Sequence, residues 1–170
     1  MNEYAAQSKY LTDPTVCCCF TGHRTIDKSG VHALLPRLAD AIREAYEDGY
    51  RHFVTGGAIG FDLLAGVTVL TLREQLPGLT LSVAVPCEQQ DRFWSENSKR
   101  VYAHLLRFAD EVIAVSPRPY YDGCMQKRNL FMVSRSSRCI CYLLPDHYAG
   151  GTAQTVRMAR KTGLDIVNLA

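Results

Sequence analysis

Two glycine-containing segments, each directly after an apolar run, contain residue types suited to binding an anion. They are TGGAIGFD at residues 55–62, with Gly56, Gly57 and Gly60, and AGGT at residues 149–152, with Gly150, Gly151 and Thr152. Glycines between a strand and a helix expose backbone N–H groups at the positive end of the helix dipole, which favours a phosphate group. A single segment of this kind is equally well explained by a tight turn. Its repetition in the chain favours a phosphate site.

Polar and basic side chains after other apolar runs extend the candidate ligand-binding set. They are Thr21, Gly22, His23 and Arg24 in TGHR, and Arg118, Tyr121, Lys127, Arg128 and Asn129 between residues 116 and 129. Each charge-assisted hydrogen bond from arginine or lysine to phosphate contributes roughly 1.5–3 kcal/mol. Taken singly, an arginine is more often a solvated surface residue, and a histidine is more often only hydrogen-bonded.

Two carboxylates are candidate catalytic residues, and three aromatic residues are candidates for stacking on a base. Asp62 can accept ribose hydroxyls or act as a base, although compensation of the helix dipole explains it equally well. Glu88 has the same ambiguity. Tyr120 and Tyr121, which follow a proline, are interpreted as site residues, whereas Trp94 is interpreted as a core residue.

Positioning these residues requires the alternation of strands and helices that the apolar periodicity predicts. Strands are predicted at 16–21, 52–55, 79–86, 111–116, 138–145 and 165–169, and helices at 31–48, 60–76, 90–109, 124–134 and 150–163. Pro36 requires the first helix either to kink or to begin its regular part nearby. Right-handed crossovers then give parallel pairing. The predicted fold class is α/β: a single-domain, Rossmann-like doubly wound sheet of about six mostly parallel strands with helices on both faces.

In such a sheet, ligands bind beyond the carboxyl ends of the strands, where the strand order reverses. All the candidate segments follow predicted strands, whereas the opposite loops at 48–51 and 76–79 have ordinary turn residues. This asymmetry predicts one site at one edge of the sheet. The sequence leaves the strand order open, with 3-2-1-4-5-6 the usual order when the first strand is central.

Composition limits the class of protein. The 170 residues are 47% hydrophobic and 21% charged, as in one globular domain, and a net charge of +2 is too small to indicate nucleic-acid binding by itself. Seven cysteines, mostly in apolar runs, lack metal-ligand spacing, so neither a metal site nor a disulfide framework is predicted. Neither glycine segment is GxGxxG or a Walker loop, which disfavours a dinucleotide oxidoreductase or an NTPase, and no cofactor is predicted.

Location and assembly are less constrained by the sequence. Residues 1–14 are predicted to be a polar segment preceding a domain over 15–170. They lack the apolar core of a signal peptide, and no apolar run reaches the roughly 20 residues of a membrane span, which predicts a cytoplasmic protein without membrane contact. Apolar helix faces are compatible with a homodimer, although helices that cover a sheet are apolar in any case.

The chain resembles the SLOG superfamily of Rossmann-like proteins, and specifically its YpsA-like branch. The resemblance covers residues 18–167 and rests on FTGHR, FVTGGAIGFDLLA, PCEQQDRFW, YYDGCMQKRN with VSRSS, and GGTAQTVRMA, in that order. It implies a single doubly wound domain and a small nucleotide-derived ligand, since relatives include DNA-processing proteins, phosphoribohydrolases of the Lonely guy type and sensors of signalling nucleotides.

Three functions follow from the residues and the resemblance together. The first is binding or sensing of a nucleotide, an ADP-ribose-like molecule or a phosphoribosyl compound. The second is hydrolysis of N-glycosidic bonds in nucleoside monophosphates. Lonely guy proteins carry PGGxGTxxE, whereas this chain has AGGTAQTVR with Ala149 at the proline position and no acidic residue until Asp165, so the family's glutamate is absent. The third, less favoured, is binding of single-stranded nucleic acid.

Overall fold

The six apolar runs form one parallel sheet in the computed structural model, which describes residues 5–170. After a short 3-10 turn at Pro14–Val16, the chain follows the order β1 Cys17–Gly22, α1 Lys28–Glu47, β2 His52–Thr55, α2 Phe61–Arg73, β3 Thr80–Val85, α3 Glu96–Phe108, β4 Glu111–Ala114, α4 Cys124–Ser134, β5 Arg138–Tyr142, α5 Gly151–Lys161 and β6 Asp165–Asn168. All neighbouring strands pair in parallel. The predicted fold class is confirmed.

The strand order is β4-β3-β2-β1-β5-β6, so the usual order 3-2-1-4-5-6 is not found. The chain builds outward from β1 through β2 and β3 to β4, and only then crosses back to place β5 on the other side of β1. The order therefore reverses between β1 and β5. This reversal marks the edge of the sheet at which a doubly wound fold forms its ligand site.

Two apolar layers hold the helices against the sheet. On one face α1, α2 and α3 bury residues such as Leu38, Phe61 and Leu105 against Phe20 of β1. On the other face α4 and α5 bury residues such as Met132 and Val156 against Cys17 and Cys19. Because successive strand residues point to opposite faces, the single run CCCF contributes to both layers.

The structure adds three details to the sequence prediction. Helix α1 continues through Pro36, which is exposed. Helix α3 begins at Glu96 rather than at residue 90, because the hydroxyl of Ser95 caps it by accepting the Ser98 N–H at 3.2 Å. Residues 1–4 of the predicted polar segment lie outside the described residues, but Leu11 in the same segment is fully buried in the second layer.

No helix within residues 5–170 combines the length and apolar character that crossing a bilayer requires. The same part of the chain brings together no group of three or more His, Cys, Asp or Glu side chains able to hold a metal ion.

Candidate functional site

A cavity of about 240 Å³ lies at the point where the strand order reverses. It is lined by four residues at the end of β1 and directly after it, two from the segment before and at the start of α2, three from α4, and four after β5: Thr21, Gly22, His23, Arg24, Ala58, Asp62, Met125, Arg128, Asn129, Ala149, Gly150, Gly151 and Thr152. The structure thus brings together most of the predicted ligand-binding residues. We call this space the switch-point cavity.

The start of helix α5 forms one wall of the switch-point cavity. Gly150 is its N-cap with φ +94°, a backbone conformation that favours glycine, and no side chain caps the helix. The first intrahelical bond runs from Gln154 N–H to the Gly150 carbonyl at 3.0 Å. The N–H groups of the first turn, beginning at Gly151, have no intrahelical acceptor. This end of α5 can therefore donate to an anion.

The glycines of TGGAIGFD serve close packing, and they do not line the switch-point cavity. The Phe61 N–H donates to the His23 carbonyl at 3.0 Å, so part of the start of α2 is satisfied within the protein. A Cβ on Gly60, whose φ is +88°, would overlap the backbone of Arg24. A Cβ on Gly56 would overlap the guanidinium of Arg128. Gly57, with φ +62°, faces Tyr102 and Val83.

A buried carboxylate and a buried guanidinium lie beside each other at the base of this cavity. Asp62 is 6% exposed and Arg128 is 3% exposed. The Arg128 Nη1 donates to the Gly56 carbonyl at 2.6 Å, and its Nε donates to the Asn129 Oδ1 at 2.8 Å. None of the ion pairs formed by residues 5–170 joins Arg128 directly to Asp62.

Burial decides the electrostatics of this pair. Desolvation raises the pKa of Asp62 to about 6, although the charges of Arg128 and Arg24 and the backbone amides of Ala58 and Gly56 act in the opposite direction. Desolvation also lowers the pKa of Arg128, with Asp62 opposing it. A carboxyl group that titrates close to neutral pH can act as an acid or a base.

The loop after β1 supplies an exposed arginine and a neutral histidine. Arg24 is exposed at the rim of the cavity. The Nε2 of His23 accepts the Leu144 N–H at 3.0 Å, which leaves the ring proton on Nδ1. Burial and the neighbouring His147 lower the pKa of His23. Positive charge at the rim therefore comes from Arg24.

Besides the glycines of TGGAIGFD, four other predicted residues lie outside the switch-point cavity. The guanidinium of Arg118 stacks over the ring of Tyr121, 3.8 Å from its centroid, and the hydroxyl of Tyr121 is 2.7 Å from the Ser116 Oγ. Glu88 donates its N–H to the Arg118 carbonyl at 2.9 Å. Lys127 faces a different surface beside α4. Because β4 is an edge strand three positions from β1, the loop that follows β4 is remote from β1.

Sequence reasoning missed three residues that line the cavity: Ala58, Met125 and Ala149. The signal for Met125 was present, since it precedes Arg128 by three residues and therefore shares its helix face. The small residues Ala58 and Ala149 carry no comparable chemical signal.

The fold and the position of its cavity define a doubly wound Rossmann-like α/β protein. The chain belongs to the YpsA family, described as the YspA SLOG family, whose model matches residues 18–165. The predicted family resemblance is confirmed.

Two curated relatives share much of this chain's sequence. The SPbeta prophage-derived protein YoqJ of Bacillus subtilis is 33% identical over 69% of this chain and 74% of its own length. The UPF0398 protein ABC2016 of Shouchella clausii is 33% identical over 63% of this chain and 58% of its own.

The fold is shared with DNA processing protein A from Helicobacter pylori, at a TM-score of 0.65 and 18% identity over 96% of this chain and 69% of that one. That protein is described as having a unique single-stranded DNA binding mode. The solved structure of TM1055 superposes with a TM-score of 0.55 and 18% identity over 88% of this chain and 71% of that one.

Proposed function

We propose that the protein binds a nucleotide-derived ligand through its phosphate group in the switch-point cavity. The observation that carries the proposal is the uncapped start of α5, which opens into the same cavity as Arg24 and Thr21. Backbone N–H groups at a helix start and one arginine are the donors that phosphate requires. A few charge-assisted hydrogen bonds, set against the cost of association, support binding at about micromolar Kd.

Gly151 offers a test that separates the anion site from fold stability. A Cβ at this position meets no atom within 4 Å. Gly151→Asp adds a negative charge at the helix start, where it compensates the helix dipole and preserves stability. The same charge repels a bound phosphate. Gly151→Asn is the matched uncharged control.

The measurement is thermal unfolding against inorganic phosphate, ribose 5-phosphate, nucleoside monophosphates, ADP-ribose and NAD, with released base assayed in the same samples. We expect at least one phosphate compound to raise the midpoint, with affinity at least about tenfold lower for Gly151→Asp than for Gly151→Asn. Equal affinities in the two variants, or no stabilisation of the unmodified protein by any compound, would refute the phosphate site.

A second candidate, hydrolysis of an N-glycosidic bond, is favoured by the environment of Asp62. Asp62 lines the cavity, and burial raises the pKa of its carboxyl group to about 6. In this reaction a carboxylate stabilises the oxocarbenium-like transition state or activates water. We expect Asp62→Asn to abolish base release while ligand binding persists. Glu88 is the weaker candidate because it is exposed and lies outside the cavity.

Single-stranded nucleic acid is the remaining alternative, which the DNA processing protein neighbours raise. It predicts an affinity that falls steeply with salt, because each neutralised phosphate releases counterions. Binding of an oligonucleotide with a steep salt dependence, together with no response to any mononucleotide, would favour it over the small-ligand proposal.

A further inference from the structure

A second cleft, of about 480 Å³, adjoins the switch-point cavity on the side of β3 and β4. Its walls come from the loop after β3, with Gln89, Gln90 and Phe93, and from the loop after β4, with Pro119 and Tyr120. Met125 of α4 lines both this cleft and the switch-point cavity. We call it the aromatic cleft. A single ligand that fills both spaces must pass Met125.

The aromatic cleft presents two aromatic rings to solvent. Phe93 is 90% exposed and Tyr120 is 64% exposed. The adjacent Trp94 behaves differently, since its ring packs on Tyr102 with the centroids 5.3 Å apart. Fold stability therefore explains Trp94 but not the exposure of Phe93. Large exposed apolar side chains beside a cavity mark binding surfaces.

Hydrogen bonds help to hold the two walls in place. The Glu88 N–H donates to the Arg118 carbonyl at 2.9 Å and ties one loop to the other. The Gln90 amide donates to the Gly56 carbonyl at 3.2 Å and to the Tyr102 hydroxyl at 2.9 Å. Gln89 has φ +52°, and among residues 5–170 it is the only non-glycine residue with a positive φ. The surrounding structure fixes this backbone conformation.

We infer that the aromatic cleft binds the base of the nucleotide whose phosphate occupies the switch-point cavity, an inference that rests on the proposed function. Exposed rings stack on the face of a heterocyclic base, which needs no particular base identity. The polar side chains of the same loop, among them Gln89, can meet the edge of the base. Met125 lies between the two subsites, where the sugar would pass.

A larger cavity of about 600 Å³ competes for the same role. It also touches Arg24, but its apolar walls are aliphatic, including Ile26, Val31 and Leu64 between α1 and α2, and no aromatic residue lines it. A base bound there would be buried without stacking. The two locations are therefore separable by removing the aromatic rings of the cleft.

The experiment compares Phe93→Ala and Tyr120→Ala with the ring-preserving variants Phe93→Tyr and Tyr120→Phe. Phe108→Ala is the control for loss of an exposed aromatic ring elsewhere, because Phe108 is 46% exposed and lies on a different surface. The probes are the four nucleoside 5′-monophosphates and ribose 5-phosphate, which has the phosphate and sugar but no base. Binding is measured by calorimetry.

We expect each alanine variant of the cleft to weaken nucleoside monophosphate binding by about fivefold or more and to leave ribose 5-phosphate unchanged. The ring-preserving variants and Phe108→Ala should bind all probes normally. The inference is overturned if the alanine variants bind nucleotides normally, if they weaken ribose 5-phosphate equally, or if no nucleotide binds more tightly than ribose 5-phosphate. In the last case the phosphate site itself still stands. If no probe binds the unmodified protein, both proposals fail.

Discussion

Asp62 acquires its chemistry from residues that are remote in sequence. Its position at the start of a helix is readable from the sequence, and dipole compensation alone would explain it. The sequence does not show that Arg128 lies beside Asp62. Arg128 is held there by its hydrogen bond to the Gly56 carbonyl, which joins residues 72 positions apart. Gly56 makes this possible, since a Cβ there would overlap the guanidinium. The position of Asp62 at a helix start was therefore predictable from the sequence, whereas its raised pKa was not.

The pH dependence of stability tests the environment of Asp62. Burial raises its pKa from 3.8 to about 6, so the folded state binds the proton more tightly than the unfolded chain. Its contribution to stability is complete below about pH 3.8 and is lost as the pH rises to about 6. The difference between the folded and unfolded pKa values corresponds to about 3 kcal/mol of unfolding free energy.

The measurement is urea denaturation of wild type and Asp62→Asn between pH 4 and pH 8. Asparagine does not titrate, so we expect the free energy of unfolding of Asp62→Asn relative to wild type to increase by about 2.4 kcal/mol across this range. All other titratable groups are common to both proteins, so their contributions cancel in the comparison. A difference that stays constant with pH would mean that Asp62 keeps an ordinary pKa.

At the scale of elements, local signals defined helices and strands well but not their arrangement. Helix α4 was predicted with its observed bounds, Cys124–Ser134, after a proline- and tyrosine-rich loop that ends at Gly123. The start of α3 was missed because the cap at Ser95 is a weaker signal than the apolar residues before it. Strand order depends on the direction of each crossover, which no local pattern encodes.

The difference between the usual and the observed strand order explains why two predicted site residues lie outside the switch-point cavity. With the order 3-2-1-4-5-6, the loop that follows β4 would adjoin the loop that follows β1, and Arg118 and Tyr121 would face Arg24. In the observed order β5 occupies that position. The AGGT segment after β5 therefore meets TGHR, and the loop after β4 instead forms one wall of the aromatic cleft.

Helix α1 provides a prediction at the element scale, since it contains Pro36 in its interior. Proline there removes one intrahelical hydrogen bond and clashes with the preceding turn, at a cost of about 3 kcal/mol. The side chain is exposed, so its replacement removes no core packing. We expect Pro36→Ala to raise the free energy of unfolding by about 1–3 kcal/mol, measured by urea denaturation.

Arg37→Ala is the control for α1, because Arg37 is the exposed neighbour of Pro36 on the same helix. Its effect should stay within about 0.5 kcal/mol. A loss of stability in Pro36→Ala would mean that the fold depends on a local bend at the proline, which positions Leu34 and Leu38 in the core.

At the scale of the whole molecule, the cysteines report on both apolar layers. All seven are free thiols and buried. Cys18 lies in the layer of α1 to α3, whereas Cys17, Cys19, Cys139 and Cys141 lie in the layer of α4 and α5. Burial raises the pKa of Cys17 to about 11, so little thiolate is present in the folded state at pH 8. Because all seven thiols are buried, their labelling requires the protein to open.

Thiol labelling also links the candidate site to the stability of the entire fold. Where opening and closing are fast relative to labelling, the rate follows the equilibrium population of the open state. A compound bound only to the folded state at 100 times its Kd stabilises that state by about 2.7 kcal/mol. We expect such a compound, chosen from the nucleotide panel, to slow the labelling of cysteines in both layers about 100-fold, measured by mass spectrometry of alkylated peptides.

The urea-unfolded chain provides the intrinsic rate of each thiol. Equal slowing in the two layers means that they open as one unit. This is the expected result, because residues of α2 from one layer and of α4 and α5 from the other line the same cavity. Slowing of one layer alone would contradict that coupling, since the ligand would then stabilise one face of the sheet independently of the other.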